Sequence, residues 1–479
     1  MRNYFLTACL LFSGYVVFAQ AGHIMQGVGA VNMSMGGAAT AQPLSIEGAL
    51  HWNPATLSDF DGKILSISVG GFFSSPELSS SIAAGSLGPG SPAISGVTED
   101  DRGTSIMPAI SFVWGKKDSK HTFGVSAFGI SGFGVTFPEE TNLPFNGDGT
   151  QNQNWDPNNS NPINYPQSFG GFGHIESDYM LLQIGLAYAF QITNNLSIGI
   201  QPTFNYSALE LAPNPVSTPD FPPPFGTGKG YPVTEKASAI GFGGQVGLFY
   251  DSGILKLGAS YKSKQYFGEF DFKQNYVDGS EAPNAQFTMN YPAIYSVGMG
   301  LSGNKIDFAL DFRYVDYENT EGFQESGWQI ADSGPSAGFP TGAVNGFGWK
   351  SMTILSIGLQ YKVTEKFPVR VGYTHSSNPI DDELAFFSIP ATAVIENAAQ
   401  FGMGYTINNK MELNAVYHYG FRGDGVSGNL LNPQLITPNN PLGKVPGSSV
   451  SYDMSTSMIQ LNFVYKFGLG SSKTSEPTK

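Results

Sequence analysis

The amino-acid sequence predicts an all-β protein: a 14-stranded antiparallel transmembrane β-barrel with an N-terminal hatch, or plug, inside its lumen. Three observations lead to this fold class. Only 13% of the 479 residues are charged, whereas a soluble domain averages about 25%. The chain holds 60 Gly, 36 Phe and 22 Tyr. Its apolar residues alternate with polar ones in many short segments, as in strands that face lipid on one side and water on the other.

The first 21 residues have the pattern of a secretory signal peptide. Arg2 supplies the positive charge, residues 4–18 form the apolar region, and Ala-Gln-Ala at 19–21 is a small-x-small cleavage site. Cleavage after Ala19 fits the pattern equally well. The single cysteine, Cys9, lies inside this segment, and the apolar region continues too far beyond it for a lipoprotein box. The mature chain is therefore expected to have neither a thiol nor a disulfide.

Residues 22–62 are predicted to form the hatch. They do not alternate as strands do, and Asn53-Pro54-Ala55 has the pattern of a helical start, because Asn caps helices and Pro suits their first turn. A barrel of this size is too wide to be filled by its own side chains, so an inner segment is needed to close it. The alternative is a periplasmic linker, which would not need the large apolar residues Met35, Leu44, Leu50 and Trp52.

Alternation then identifies the strands of the barrel, residues 63–467, and the face that each side chain takes. The segment 306–314, IDFALDFRY, puts Ile, Phe, Leu, Phe and Tyr on one face and Asp, Ala, Asp and Arg on the other. Segments 196–206 and 458–467 alternate in the same way. The polar faces are rich in Gly, Ser, Asn and Gln, a composition that suits a wet lumen.

Fourteen strands are predicted, at residues 63–73, 105–114, 122–137, 178–191, 196–211, 237–250, 254–271, 286–301, 305–317, 349–361, 367–375, 396–407, 411–421 and 452–467. Short connections alternate with long ones rich in Pro, Gly and Asn, as in barrels with periplasmic turns and extracellular loops. This predicts a Gram-negative outer-membrane protein with both termini in the periplasm and a polar tail at 468–479. A soluble β-propeller is the alternative fold, but its turn lengths should not alternate strand by strand.

Several segments resemble those of a known family. The segment VGAVNMSMGGAATA…GALHWNPATLSDFDG, with Asn53, Pro54 and Ala55, resembles the hatch of the FadL/TodX family, outer-membrane transporters of long-chain fatty acids and other hydrophobic compounds. LGASYKSK, YSVGMGLSGNKIDFALDFRYVDY and FSIPATAVIENAAQFGMGYTINNKMELNAVYHYGF resemble later strands of that family. The resemblance extends over residues 22–467. It implies uptake of fatty acids or of aromatic or aliphatic hydrocarbons, captured by the extracellular loops and released sideways into the membrane.

The resemblance also implies that the wall opens at the third strand, HTFGVSAFGISGFGVTFPEE. Four glycines interrupt this strand, and Gly inside a strand marks bulges and bends. Alternation turns Phe128 and Ile130 toward the lumen, where other strands carry polar residues. The predicted opening and ligand path comprise Phe128, Gly129, Ile130, Gly132, Phe133 and Gly134. The alternative is that these are ordinary glycines of a glycine-rich barrel.

Basic side chains that face the lumen are candidates for binding a ligand carboxylate. Fatty-acid-transporting relatives use basic residues for this purpose, and alternation turns Lys262, Lys264 and Arg370 inward. Arg313 also faces inward, but it shares its face with two Asp residues and is expected to pair with them. Residues 205–211 contain a Glu and no base, so an uncharged aromatic or alkane substrate is the alternative.

Other function classes find little support. The sequence has neither a Gly-rich phosphate loop with Lys nor a His/Cys cluster with metal-ligand spacing, so no catalytic residue, metal or cofactor is expected. The net charge of −14 argues against nucleic acid. The expected partners are a hydrophobic small molecule, outer-membrane lipid or lipopolysaccharide, and the barrel-assembly machinery, and the protein is expected to be a monomer. A plugged or non-specific porin-like diffusion channel is the alternative function.

Overall fold

A computed structural model describes residues 22–115, 119–224, 226–334 and 336–467. The predicted signal peptide, 1–21, and tail, 468–479, lie outside the described residues. The barrel strands are β1 (Lys63–Ile82), β2 (Thr104–Trp114), β3 (His121–Phe137), β4 (Ile175–Gln191), β5 (Leu196–Ala212), β6 (Ala237–Asp251), β7 (Leu255–Lys262), β8 (Ala293–Ser302), β9 (Ile306–Asp316), β10 (Met352–Thr364), β11 (Phe367–Ser376), β12 (Asn397–Asn408), β13 (Met411–Gly420) and β14 (Ser448–Phe467).

Each strand pairs antiparallel with its neighbour along the chain, and β1 pairs with β14 from Lys63↔Phe467 to Ile82↔Ser448. That last pairing closes the sheet into a barrel. The predicted fold class, a closed 14-stranded antiparallel barrel, is confirmed. The predicted faces of β9 are also confirmed, since Phe312 is 46% exposed on the outside while Asp311 and Arg313 are each 1% exposed inside.

Three predicted strand boundaries were wrong. β1 continues to Ile82 instead of ending at residue 73, because its polar second half still pairs with β14. β7 ends at Lys262 instead of 271, and β8 begins at Ala293 instead of 286. The intervening residues alternate like a strand, but Phe270–Phe272 and Ala285–Phe287 pair with each other in a separate hairpin. Periodicity alone cannot separate such a hairpin from the barrel strands beside it.

The longer connections carry the remaining short elements. The strands outside the barrel sequence are Ile94–Glu99, Val233–Thr234, Tyr266–Phe267, Phe270–Phe272, Gln274–Asn275, Ala285–Phe287, Trp328–Ile330, Pro340–Val344 and Val426–Gly428. The 3₁₀ turns there are Pro157–Asn159, Pro162–Asn164, Gln167–Phe169, Asp382–Ser388 and Pro433–Leu435.

The N-terminal hatch lies inside the barrel. It contains two short helices, α1 (Ala30–Ser34) and α2 (Ile46–Trp52), and a 3₁₀ turn, Pro54–Asp59. As the sequence predicts, Asn53 caps this turn by accepting a hydrogen bond of 3.1 Å from the Ala55 N–H, with Pro54 in the first position. In the part of the chain that the structure describes, no helix combines the length and the apolar character needed to cross a membrane.

Glycines on the inner wall make room for the hatch backbone. At Gly358 of β10 an added Cβ would lie 2.5 Å from the Met35 carbonyl oxygen, and at Gly402 of β12 it would collide with Ser34. Other glycines in equivalent contact with the hatch are Gly199, Gly247, Gly258, Gly298, Gly300 and Gly372. We call this set the glycine belt. Much of the glycine content therefore serves the fit between plug and wall.

Candidate lateral opening and ligand path

The barrel wall is interrupted between β2 and β3. Their pairing runs from Trp114↔Phe123 to Ala109↔Phe128 and stops there. Among the described residues, the rest of β2, 104–108, pairs with β1 and not with β3. The rest of β3, 129–137, pairs with β4 and not with β2, and its Ser131 forms a bridge with Ile24 of the hatch. Pro108 stands at the point where pairing ends, and Pro has no N–H for a ladder hydrogen bond. The two strands thus diverge beyond Ala109 and Phe128, along the halves that lie next to the long connections.

A β-bulge accompanies the interruption. β3 pairs Gly129 with Leu182 and Ser131 with Leu181 of β4, so Ile130 is an extra residue. Such a bulge bends its strand and re-aims its side chains. Phe128 and Ile130 are 1% and 0% exposed and face inward, while Gly132 is exposed.

The N-terminal segment occupies the inner side of this opening. Residues 22–25 run beside β3, where Met25 N–H donates to the Ile130 carbonyl at 3.0 Å and Gly132 N–H donates to the His23 carbonyl at 3.2 Å. The Ser131 hydroxyl donates to the same carbonyl at 3.0 Å. Backbone groups of β3 that lack a β2 partner are therefore satisfied by the hatch, which removes a cost of several kcal/mol per group in lipid.

The loop that precedes β2 closes the other end of the opening. The Arg102 guanidinium donates to the Ser177 carbonyl at 2.6 Å and pairs with Asp178 at 2.5 Å. It crosses β3 at Gly134, where any Cβ would collide with it. Asp101 N–H donates to the Thr136 carbonyl at 2.8 Å. The edge of β3 that β2 leaves unpaired is therefore held at this end of the opening by the loop that precedes β2.

Between these two closures lies a cavity of about 470 Å³. Its lining includes the free edge of β2, residues 104–107, and Ser131 to Gly134 of β3. Three of the six residues predicted to form the opening, Gly132, Phe133 and Gly134, line this cavity. Gly129 also faces β2, since its added Cβ would lie 3.7 Å from Met107 Cε. The remaining two, Phe128 and Ile130, point inward.

An aromatic slot adjoins the cavity, and the imidazole of His23 fills it. The ring stacks on Phe323 with a centroid distance of 4.9 Å and an interplanar angle of 15°. Its Nδ1 shares a hydrogen bond of 2.8 Å with the Tyr317 hydroxyl. Four more rings surround it at centroid distances of 5.8 to 6.2 Å: Phe133, Tyr179, Tyr291 and Trp349. The slot is therefore shaped for a single flat ring.

Burial lowers the pKa of His23 to about 3, so the imidazole in the slot is uncharged at neutral pH. When the segment leaves the slot, the pKa returns to its usual value of about 6.5. Occupancy of the slot is thus fully favoured above pH 6.5 and weakens as the pH falls from there toward 3. The surrounding phenol groups do not titrate in this range.

Lowering the pH from 7.5 to 5.5 should therefore raise the released fraction of residues 22–25 about tenfold, since only the released imidazole gains a proton. Hydrogen–deuterium exchange at Met25, corrected for the intrinsic exchange rate, measures this fraction. The His23→Phe variant should lose the pH dependence. The same pH dependence in that variant, or none in the unaltered chain, would contradict the prediction.

The three candidate carboxylate contacts lie in different surroundings. Lys262 is 1% exposed, and within the described chain its Nζ has no ion-pair partner and one hydrogen bond, to Gln183 Oε1 at 3.3 Å. That Nζ lies 5.8 Å from the Trp52 ring centre. The Arg370 guanidinium donates to two amide oxygens, that of Gln360 at 2.6 Å and that of Asn414 at 3.0 Å. The structure does not bring the three side chains together.

Lys264 does not face the lumen, so its predicted orientation was wrong. β7 ends at Lys262, and Ser263 forms a bulge in which its N–H donates to the Gly244 carbonyl at 2.8 Å. One extra residue inverts the alternation, so Gln265 is buried inside and Lys264 reaches the Asn319 carbonyl among the loops.

Arg313 and Asp311 of β9 hold the hatch against the wall. They pair at 2.5 Å, as expected from their shared face. Asp311 also accepts the N–H groups of Ala39 and Thr40 at 2.8 Å each, while the Arg313 guanidinium lies 3.7 Å from the Trp52 ring centre. The hatch motif contributes a further anchor, because Asn53 donates to the Leu248 carbonyl of β6 at 2.9 Å. These charges are used by the fold itself.

The long connections between strands enclose a small apolar pocket. Its lining includes Phe172, Ile175, Pro213, Val344, Phe386 and Pro390. Sequence reasoning found neither this pocket nor the aromatic slot, because both draw on residues far apart in the chain. One signal was present for the opening itself: Pro108 interrupts a predicted strand and marks its free edge.

One known protein family and several solved structures are similar to this chain. Residues 163–467 match the family described as outer membrane protein transport protein (OMPP1/FadL/TodX). The toluene transporter TodX of P. putida has a similar structure, with 18% identity and a TM-score of 0.63 over 92% of this chain and 99% of that chain. A FadL homologue of Pseudomonas aeruginosa has 15% identity and a TM-score of 0.65 over 94% and 100%. The toluene transporter TbuX of Ralstonia pickettii has 16% identity and a TM-score of 0.59 over 92% and 99%.

At these identities the structural likeness shows the fold alone. No curated protein sequence matches the chain significantly. The family match covers more than half of the chain, from the connection between β3 and β4 to the end of β14.

Proposed function

This chain belongs to the OMPP1/FadL/TodX family of outer membrane transport proteins, and on that premise we propose that it takes up hydrophobic compounds and releases them sideways into the outer membrane. The ligand is captured by the extracellular loops, passes the aromatic slot and leaves through the opening between β2 and β3. The family and its structural relatives are transport channels, so the prediction that the chain is not an enzyme is confirmed.

The interrupted pairing beyond Ala109 and Phe128 is the observation that carries this proposal. A hydrophobic ligand gains about 0.8 kcal/mol per CH₂ when it leaves water for an apolar medium. It therefore gains by leaving through the wall, and an unpaired, bent and glycine-rich strand is the place where the wall yields most easily. The residues assigned to the path through this opening are the six predicted from the sequence: Phe128, Gly129, Ile130, Gly132, Phe133 and Gly134.

The proposed ligand path passes through the apolar loop pocket, then the aromatic slot, and then the opening between β2 and β3. The structurally related proteins include two toluene transporters and a monoaromatic hydrocarbon channel, and this supports a hydrophobic substrate. A carboxylate-bearing ligand is the second candidate, favoured by Lys262, whose buried charge has no acidic partner in the described chain. A diffusion pore is disfavoured by the hatch, which fills the lumen.

We also propose the domain bounds, the location of the termini and the partners. Residues 22–62 form the hatch domain and 63–467 the barrel domain, after a signal peptide of 21 residues and before a polar tail at 468–479. We assign both termini to the periplasm because the six connections after β2, β4, β6, β8, β10 and β12 are short. The partners are a hydrophobic ligand, outer-membrane lipid or lipopolysaccharide and the barrel-assembly machinery, and the protein acts as a monomer.

Liposomes and cells that carry the intact protein distinguish transport from diffusion. Liposomes should swell little in small sugars, because the hatch blocks the lumen. Cells that express the protein should take up radiolabelled toluene or laurate faster than cells with an empty vector. Rapid liposome swelling without a gain in hydrophobic uptake would favour a porin and contradict the proposal.

A further inference from the structure

The aromatic slot is occupied by the imidazole of His23, and the chemistry of this ring indicates which ligands the slot accepts. An imidazole is a flat single ring with polar atoms on its edge. His23 is 3% exposed, stacks on Phe323 and shares a 2.8 Å hydrogen bond with the Tyr317 hydroxyl. The ring contacts and hydrogen bonds of His23 within the described chain involve aromatic rings, one phenol and uncharged groups of β3. It is therefore a stand-in for an uncharged aromatic ligand.

Two buried polar atoms in the slot have no hydrogen-bond partner among the described residues. They are His23 Nε2 and the hydroxyl oxygen of Tyr291, whose side chain is fully buried. The Tyr291 and His23 ring centres are 5.9 Å apart. Once the imidazole leaves, the Tyr317 hydroxyl also loses the partner seen here. The emptied slot then presents the hydroxyl groups of Tyr291 and Tyr317 within a surface of aromatic rings.

An unsatisfied buried hydroxyl is costly, so a ligand that supplies a hydrogen bond is favoured over a bare hydrocarbon of the same size. A carboxylate would be desolvated beside rings that offer no cation. The buried cation of β9, Arg313, is already paired with Asp311 at 2.5 Å. A phenol stays uncharged at neutral pH, because a phenol such as the Tyr side chain has a pKa of about 10.

We infer that the slot formed by Tyr291, Tyr317, Phe323 and Trp349 selects single-ring aromatic compounds that carry a hydroxyl group, bound in the place of the His23 imidazole. The inference rests on the proposed transport function and names its preferred substrate class. Tyr317 and Tyr291 are specificity-determining residues, and His23 competes with the ligand for the slot.

Calorimetric titration of the full-length purified protein tests this with three probes that differ in one substituent: p-cresol, toluene and p-toluate. p-Cresol should bind about tenfold more tightly than toluene, which corresponds to one net hydrogen bond. p-Toluate should bind more weakly than either. His23→Gly should strengthen binding of both p-cresol and toluene, because it removes the competing ring.

Tyr317→Phe should reduce the advantage of p-cresol over toluene. Toluene binding should not weaken, because this variant also removes the hydrogen bond that holds the competing His23 ring. Tyr291→Phe is a second variant that keeps the test valid if the first does not fold, and a smaller p-cresol advantage is expected there too. Tyr419→Phe, at a tyrosine that is 37% exposed on the barrel wall, is the matched control and should change nothing.

Equal affinity for p-cresol and toluene would overturn the inference while leaving hydrocarbon uptake intact. Tightest binding of p-toluate would also overturn it and would point to Lys262 instead. Failure of all three probes to bind would overturn the slot as a ligand site. The transport function is judged separately, by the cell uptake and liposome measurements, so the two failures are distinguishable.

Discussion

Deletion of residues 22–61 should leave a folded barrel whose single-channel conductance in planar bilayers is far above that of the intact protein. The strands hydrogen-bond to one another around the full circle, including β1 to β14, so the barrel does not need the hatch to close. The emptied lumen is too wide for its own side chains to fill. Ions should therefore pass freely through the barrel once the hatch is removed.

A single substitution in the glycine belt should reproduce part of this effect without shortening the chain. Gly358→Val places side-chain atoms where the Met35 backbone lies, so the hatch has to shift away from β10 and conductance should become noisy and higher. Gly71→Val is the control, because its Cβ would meet only the side chains of Thr104 and Phe73, at 3.5 and 3.6 Å.

Equal conductance of the deletion variant and the intact protein would show that the hatch is not the barrier. Equal effects of Gly358→Val and Gly71→Val would show that the belt has no special role. Folding of each variant is checked by its heat-modifiable migration on gels and by its thermal unfolding.

Filling the opening should abolish hydrophobic uptake while the barrel stays stable. Gly129 faces β2, and its Cβ would have only Met107 and Pro108 within 4 Å, at 3.7 and 3.9 Å. Gly129→Trp therefore has room for its first atoms and places a large ring in the gap between β2 and β3. Uptake of labelled toluene by cells should fall to the level of cells without the protein.

Gly71→Trp is the matched control for this variant, since Gly71 also lies in the wall, on β1, but faces no interruption. Binding of the ligand to purified Gly129→Trp should persist, because the aromatic slot is unchanged. Undiminished uptake in Gly129→Trp, or an equal loss in both variants, would refute an exit between β2 and β3.

Much of the barrel could be predicted because its information is local. Strand residues face opposite sides with a period of two, so Asp311, Arg313 and Phe312 could be assigned to their faces from neighbours in the sequence. The start of the 3₁₀ turn at Asn53-Pro54-Ala55, inside the hatch, could also be predicted, because capping depends on residues two or three positions away. The glycines of β3 marked the strand that bends.

The amino-acid sequence by itself determined the number of strands, the face that most side chains take, and the inner plug. It also identified β3 as the strand in which glycines interrupt the regular alternation. Only the tertiary structure decided where pairing between β2 and β3 stops and which hatch groups bond to β3 at Ser131 and Gly132. It also decided that His23 fills a slot built from residues far apart in the chain. It also decided that Lys264 points to the loops. The physical reason is that alternation is a property of one strand, whereas pairing, bulges and burial depend on what lies across from it, and one extra residue inverts every face beyond it.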